Sequence, residues 1–178
     1  AGIPAGVFNV VPTSNAPSVG DVLTTHPDVA KFSFTGSTKV GKILLAQAAS
    51  TVKNVSMELG GNAPFLVFDD ADIDAAVKGA IAAKYRNTGQ TCICVNRFIA
   101  QRSIVDEFTE KLVAASAGLK VGPGAETGTD IGPIINEAAF DKVSSLVSDA
   151  VLAGATVRTG GAPATARSLF YQPTVLGG

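Results

Sequence analysis

The sequence contains no tryptophan, one histidine and two cysteines among its 178 residues. A Cys–His or Ser–His–Asp site would have to use His26, and the polar turn that His26 shares with Pro27 predicts a surface residue instead. Two thiols and one imidazole are too few soft ligands for a zinc site, so we predict no metal. These shortages argue against a protease, an acyl hydrolase and a zinc protein.

The sequence also has no large excess of positive or negative charge. The net charge is −1 and no basic cluster occurs, which argues against a nucleic acid or an anionic membrane as a partner. The best apolar run, residues 73–83, contains Lys78 and falls short of the roughly 18 residues that a membrane-spanning helix needs. Two cysteines spaced by one residue cannot form a disulfide framework. We therefore expect a reducing compartment, the cytoplasm, or the mitochondrial matrix if the source is a eukaryote.

Hydrophobic residues make up 46% of the chain, with alanine and valine prominent, and this composition suits packed α/β elements. Strand patterns at residues 6–11, 29–34 and 54–58 alternate with helix patterns at 18–26 and from Gly36 onward. The predicted buried stripe of the second helix is Val40, Ile43, Leu44 and Ala48. This alternation predicts a parallel α/β sheet.

The Gly60-Gly61 pair predicts a domain boundary. After it come strand patterns at 65–68, 96–101, 156–158 and 171–175, and helix patterns at 72–87, 103–119 and 138–153. The acidic residues 69–72 favour a helix start over a metal site, because carboxylates meet unpaired N–H groups there. Ser103 is the predicted cap of the next helix. The sequence opens on a loop-like pattern at Ala1 with no targeting segment, so we expect a piece of a longer chain.

Three segments contain residues that could perform chemistry. Gly36-Ser37-Thr38 lies between a predicted strand and a predicted helix, where N–H groups and a hydroxyl could hold a phosphate, or where Ser37 could simply cap the helix. Glu58 ends a strand beside flexible backbone. If buried it would have a raised pKa and could act as a base, and otherwise it is an exposed strand-end residue.

The third segment, residues 86–94, contains both thiols. Cys92 follows a Gly-Gln-Thr turn that could expose its thiol, and Cys94 would then point to the opposite side of the chain. A thiolate is a nucleophile, so one cysteine could face a cleft while the other packs inside. Two small core residues remain an alternative interpretation.

The order and spacing of these segments resemble the aldehyde dehydrogenase superfamily. The matching motifs are Phe34-Thr35-Gly36-Ser37-Thr38, Glu58-Leu59-Gly60-Gly61 and Gly89-Gln90-Thr91-Cys92, and the resemblance spans all 178 residues. Finer details, in residues 61–65 and 86–94, are similar to the succinate-semialdehyde dehydrogenase branch. The resemblance implies the end of a Rossmann-type cofactor domain over residues 1–58, followed by most of an α/β catalytic domain over residues 59–178.

The resemblance also implies residue roles. Cys92 would attack the aldehyde to form a thiohemiacetal, and Glu58 would activate the water that hydrolyses the later thioester. Arg86 would pair with the distal carboxylate of succinate semialdehyde, and Cys94 would be a redox partner that bonds Cys92. The implied cofactor is NAD or NADP, and the cofactor-binding residues would be Gly36, Ser37, Val40, Leu59 and Gly60.

Further expectations concern the complete protein. By the resemblance, an upstream Asn and Lys, a later Glu and an oligomerisation hairpin would complete the site, so we expect the isolated chain to be inactive. The complete protein is expected to be a homodimer or homotetramer acting on a small carboxylated aldehyde. Glutarate semialdehyde and 2-oxoglutarate semialdehyde are alternative substrates, and a non-catalytic folded fragment is an alternative class.

Overall fold

The computed structural model describes residues 2–166 and 168–178. The chain divides into two compact units, the first ending at Gly60 and the second beginning at Gly61. Both units contain helices and strands, which confirms the α/β class. None of the helices in the described ranges is long and apolar enough to cross a membrane. The roles assigned to residues 1–58 and 59–178 stay predictions, because packing alone does not identify a ligand.

The first unit consists of helices α1 Ala16–Thr25 and α2 Thr38–Ala48 and strands β1 Lys31–Gly36 and β2 Asn54–Leu59. A short 3-10 turn, Ala49–Thr51, follows α2. β1 and β2 pair in parallel, as the alternation of elements predicts. The strand predicted at residues 6–11 is wrong, since this segment is exposed and not extended into a sheet. An apolar run becomes a strand only where a neighbouring strand pairs with its backbone.

The buried face of α2 differs in part from the predicted stripe. Two of the four predicted residues are buried, whereas Val40 and Ile43 are 41% and 52% exposed. Gly41 explains the difference, because a Cβ there would lie 2.6 Å from Leu59 Cδ2. The missing side chain lets Leu59 pack directly on the helix backbone, so α2 turns its glycine rather than Val40 towards β2.

The second unit contains seven elements. They are β3 Ala63–Val67, α3 Ile73–Tyr85, β4 Val95–Ala100, α4 Val105–Ala117, α5 Glu137–Leu152, β5 Thr156–Thr159 and β6 Val175–Gly177. β3 pairs in parallel with β4 across α3, and β5 pairs antiparallel with β6. The last strand begins later than the predicted range 171–175, and Tyr171 instead forms an isolated bridge with Pro163.

The core of the second unit fixes the helix that precedes residues 86–94, which we call the thiol segment. Its buried cluster consists of Val67, Val77, Ala80, Phe108 and Leu112, from β3, α3 and α4. Burying a side chain such as valine, leucine or phenylalanine contributes about 1.5–3 kcal/mol. The cluster therefore holds α3 firmly, and the chain leaves this core at the end of α3 to form the thiol segment.

In the second unit, the start of α3 follows the predicted capping chemistry and the start of α4 departs from it. Asp72 caps α3, since its Oδ1 accepts a hydrogen bond of 3.0 Å from the backbone N–H of Ala75. The predicted Ser103 cap is wrong, because α4 begins after Ile104 without a side-chain cap. The N–H of Ile104 donates to the carbonyl of Gln101 at 3.0 Å. Ser103 lies inside the turn that this bond closes, one residue before the cap position.

Gly160 is the position where a methyl group should cost most stability. It has φ +70°, and an added Cβ would lie 2.2 Å from the carbonyl oxygen of Pro173. We expect Gly160→Ala to lower the free energy of unfolding by about 3 kcal/mol, from backbone strain and the clash together. Gly154 is the matched control, because it has φ +104° but open space around its Cβ position. Gly154→Ala should cost about 1 kcal/mol. Urea unfolding of the complete protein measures both, and equal losses would contradict the steric argument.

Candidate active site

The carboxyl ends of β1 and β2 bring two of the motifs together in the first unit. The parallel register pairs Thr35 with Glu58 and Gly36 with Leu59. Ser37 then caps α2, its Oγ accepting a hydrogen bond of 3.3 Å from the N–H of Val40. Residues from both motifs therefore line the same edge of the sheet, where ligands bind in open parallel sheets.

This edge fits the phosphate of a dinucleotide. The first N–H groups of any α-helix lack intrahelical partners, and Gly36, Ser37 and Val40 are exposed at the start of α2. Gly60 leaves open space beside the strand end, because a Cβ there would meet no atom within 4 Å. The Leu59 side chain packs on Gly41, so its backbone rather than its side chain faces this edge. The cofactor assignments of these residues stay predictions.

Glu58 is exposed on the outer face of β2. Exposure alternates along the strand, with Val55, Met57 and Leu59 partly buried and Glu58 exposed. Glu58 is therefore an exposed residue at the end of its strand, which is one of the two alternatives that the sequence left open. A role for Glu58 as a base rests on its place in the motif and stays a prediction.

A left-handed turn opens the thiol segment of the second unit. α3 ends at Tyr85, and Asn87, Thr88 and Gly89 then adopt φ angles of 51°, 61° and 75°. A β-branched residue such as threonine rarely adopts a positive φ. The backbone thus turns sharply between the end of α3 and Cys92.

A second turn exposes the first thiol and buries the other. The N–H of Cys94 donates to the carbonyl of Thr91 at 3.2 Å, which places Cys92 and Ile93 at the corner. Cys92 is exposed, whereas Cys94 is only 2% exposed. The prediction that one thiol is accessible while the other packs inside is confirmed, and a turn rather than an extended segment produces this difference.

Hydrogen bonds of the buried thiol close the thiol segment onto α3. Cys94 Sγ donates to the carbonyl of Lys84 at 3.3 Å and lies 3.9 Å from the carbonyl of Arg86, and it also contacts Thr91 Oγ1. Gly61 contacts the other side, since a Cβ there would lie 3.1 Å from the carbonyl oxygen of Cys92. The backbone that carries Cys92 is thus held on two sides.

The last turn of α3 anchors the segment further. Lys84 Nζ donates to Asn96 Oδ1 at 2.9 Å, and burial lowers the pKa of Lys84, an effect that the Cys94 sulfur partly opposes. The Tyr85 hydroxyl donates to Ser116 Oγ at 3.1 Å, and burial raises the pKa of Tyr85. Both side chains tie the start of the thiol segment to neighbouring elements.

Arg86 is exposed at the point where α3 ends. Among residues 2–166 and 168–178, no carboxylate lies within 4.0 Å of its guanidinium. A planar guanidinium with free donors binds carboxylates and related anions through two parallel hydrogen bonds. Arg86 is therefore available to an anionic ligand beside the exposed thiol segment.

Other predicted positions lie away from this segment. His26 is exposed after α1, where its Nδ1 accepts a hydrogen bond of 3.2 Å from the N–H of Asp28, which confirms the predicted surface position. Within the described part of the chain, no group of three or more His, Cys, Asp or Glu residues could hold a metal ion. A cavity of about 700 Å³ in the second unit borders the thiol segment, since Thr88, Gly89 and Gln90 line it together with residues of α4, α5 and β4, but Cys92 and Arg86 do not.

Two contacts of the thiol segment had no signal in the sequence. Gln90 bonds to a loop more than 40 residues later, and Gly61 approaches the Cys92 carbonyl. Periodicity and capping patterns describe neighbours along the chain, so neither contact could be found by such patterns. In the sequence, the Gly60-Gly61 pair predicted a domain boundary and did not indicate the contact with Cys92.

Comparison with known proteins decides the family. The sequence profile described as the aldehyde dehydrogenase family matches residues 1–178. The chain belongs to the aldehyde dehydrogenase family. It is 57% identical over 176 residues to 3-sulfolactaldehyde dehydrogenase of Pseudomonas putida, covering 99% of this chain and 36% of that protein. It is 58% identical over 179 residues to mitochondrial succinate-semialdehyde dehydrogenase of Mus musculus, covering 99% and 34%.

A solved structure agrees with the fold. The crystal structure of an NADP-dependent enzyme from E. coli superposes with a TM-score of 0.95 at 52% identity, covering 98% of this chain and 36% of that chain. The chain therefore spans about a third of the length of the relatives it matches. The motif resemblance seen in the sequence is confirmed at the level of the family.

Proposed function

We propose that the complete protein is an NAD- or NADP-dependent aldehyde dehydrogenase that oxidises succinate semialdehyde to succinate. The observation that carries this proposal is the exposed Cys92 thiol in a segment that also presents Arg86, which no described carboxylate pairs. Family membership and the name of the Mus musculus relative support the reaction. The exposed start of α2 and the NADP dependence named for the E. coli structure support the cofactor.

Cys92 and Glu58 have separate proposed roles. The Cys92 thiolate attacks the aldehyde carbon and forms a thiohemiacetal, whose oxyanion accepts a hydrogen bond from the backbone N–H of Cys92. NAD⁺ or NADP⁺, which Gly36, Ser37, Val40, Leu59 and Gly60 would hold, would supply the hydride acceptor, so that a thioester would remain on Cys92. Glu58 then takes a proton from water as the water attacks the thioester carbon, which releases succinate and the free thiol.

Cys94 is proposed to act as a redox partner of Cys92. An oxidant would join the two thiols and stop turnover, and a thiol reductant would restore it. The buried Cys94 thiol bonds to Lys84 and Thr91, so the turn must rearrange before an S–S bond can form. Mass spectrometry after mild peroxide treatment tests this idea, and an unchanged mass for the Cys92–Cys94 peptide would exclude it.

A second candidate substrate is 3-sulfolactaldehyde. The Pseudomonas putida relative supports it, because its identity of 57% is close to the 58% of the Mus musculus relative. Both aldehydes carry an anionic group away from the reacting carbon, and a guanidinium binds a carboxylate or a sulfonate with the same donors. Glutarate semialdehyde and 2-oxoglutarate semialdehyde share this feature. Comparing kcat/KM across the four aldehydes separates the candidates.

Removing the Arg86 guanidinium should affect only anionic substrates. We expect Arg86→Ala to lower kcat/KM for succinate semialdehyde about a hundredfold, since a paired charge-assisted hydrogen bond is lost. The value for butanal, which has no carboxylate, should change little. Arg86→Lys keeps the charge without the planar fork and should give an intermediate loss.

Arg97 supplies the matched control for this experiment. It is another exposed arginine of the second unit, on β4. Arg97→Ala should leave both substrates unaffected. If Arg86→Ala lowers kcat/KM equally for succinate semialdehyde and butanal, then Arg86 does not bind the anionic group of the substrate.

The assembly and location of the complete protein are also proposals. We propose a homodimer or homotetramer, located in the cytoplasm or, in a eukaryote, in the mitochondrial matrix, as the name of the Mus musculus relative suggests for that case. Light scattering of the complete protein measures the assembly, and a monomeric mass would contradict it.

A further inference from the structure

The left-handed turn before Cys92 needs contacts that hold it. Asn87, Thr88 and Gly89 have consecutive positive φ angles, and Thr88 is β-branched. Such residues persist where the surrounding structure over-determines their conformation, and they concentrate at functional sites. The contacts that fix this turn therefore also bear on the position of Cys92, which follows Gly89 by three residues.

The backbone and side chain of Gln90 provide these contacts. Its N–H donates to the carbonyl of Asn87 at 3.0 Å, and Asn87 Nδ2 donates to the carbonyl of Gln90 at 3.3 Å. The side-chain amide then crosses to a distant loop. Gln90 Nε2 donates to the carbonyl of Pro133 at 3.3 Å, and Gln90 Oε1 accepts from the N–H of Ile135 at 2.9 Å. The side-chain amide of Gln90 therefore uses both its donor and its acceptor on the backbone of this loop, as a backbone amide does between paired strands.

The loop that receives the Gln90 amide is itself fixed. Ile131 and Ile134 are only 3% and 6% exposed, and the N–H of Ile134 donates to the carbonyl of Leu169 at 2.9 Å. A Cβ on Gly132 would lie 3.7 Å from Thr88 Oγ1, so the loop also contacts the left-handed turn. Bonds from Gln90 to this loop thus connect the thiol segment to buried residues of the second unit.

We propose that Gln90 is a positioning residue, whose side-chain amide holds the left-handed turn against Pro133 and Ile135 and so fixes the place of the Cys92 thiol. This inference rests on the proposed function, in which Cys92 is the nucleophile. A nucleophile is effective only when it is held in line with the reacting carbon. Gln90 does not touch the substrate in this proposal and acts through the backbone of residues 87–92.

Gln90→Met tests the proposal in the complete protein, because methionine keeps the length and removes both amide bonds. We expect kcat to fall about tenfold with little change in KM, since positioning affects the chemical step. Iodoacetamide should still alkylate Cys92 in this variant, because the thiol stays exposed. Hydrogen exchange in the peptides that contain residues 86–94 and Ile135 should be at least about tenfold faster.

Gln101 provides the matched control in the same unit. Its side-chain amide also bonds another segment, accepting from the N–H of Asp69 at 3.1 Å and donating to Asp69 Oδ2 at 2.7 Å. Gln101→Met should leave kcat and the exchange of residues 86–94 unchanged. If Gln90→Met does not fold, Gln90→Asn keeps the amide but shortens its reach, and it should give the same changes.

The outcomes separate this inference from the proposed function. Unchanged exchange in residues 86–94 would overturn the holding role of Gln90, whether or not the protein oxidises aldehydes. Faster exchange with unchanged kcat would overturn its role in positioning Cys92. An equal loss of kcat in Gln101→Met would show a general loss of stability instead. A wild-type protein that oxidises none of the aldehydes would refute the proposed function. The exchange rates would still test whether Gln90 holds the turn against Pro133 and Ile135.

Discussion

Cys92→Ala is expected to lower kcat for succinate semialdehyde oxidation by about a thousandfold or more in the complete protein. Without the thiol, neither the thiohemiacetal nor the thioester can form, so the covalent route is lost rather than slowed. Formation of the reduced cofactor, followed by absorbance, measures the rate. The exposed position of Cys92 makes a folding defect from the substitution small, which unfolding in urea checks.

Cys94→Ser is the matched control for the loss of Cys92. The serine hydroxyl can still donate to the Lys84 carbonyl that the Cys94 thiol contacts. We expect this variant to retain the nucleophile and most of the activity. An active Cys92→Ala protein would show that Cys92 is not the nucleophile.

Glu58→Gln is expected to stop turnover after the first chemical step. The amide cannot accept a proton from the attacking water, so thioester hydrolysis should slow by about a hundredfold to ten-thousandfold. Acylation of Cys92 does not need this base in the proposed mechanism. The variant should therefore release about one equivalent of reduced cofactor in a burst and accumulate acylated Cys92, visible in the intact mass of the protein.

Ser56 offers a control on the same strand. It is exposed two residues before Glu58 on the outer face of β2, so Ser56→Ala changes the same surface without removing a carboxylate. This variant should keep steady turnover and show no acylated intermediate. A Glu58→Gln protein that loses the burst as well as the steady rate would place Glu58 before thioester formation, contrary to the proposal.

Local chemistry explains the predictions that succeeded. Asp72 caps α3 because a short acidic side chain reaches the free N–H groups of its own helix, and this contact needs no distant partner. β1 and β2 alternate with helices, and two strands that a helix connects in this way pair in parallel.

Contacts between distant residues explain the predictions that failed. The apolar residues 6–11 do not form a strand, because strand formation depends on a paired neighbour as well as on composition. Val40 and Ile43 match a helical stripe, yet the contact between Gly41 and Leu59 decides which face of α2 is buried. Glu58 illustrates a third limit, since its exposure depends on the face that β2 presents outward.

By itself, the sequence determined the family, the α/β class and the order of the candidate catalytic residues, since motif spacing and hydrophobic periodicity are properties of the chain alone. The tertiary structure decided how the Cys92 thiol is presented. A left-handed turn, the buried Cys94 thiol and the bonds from Gln90 to Pro133 and Ile135 together expose Cys92. The bonds from Gln90 join segments more than 40 residues apart, and this physical contact through space is not encoded in any local pattern.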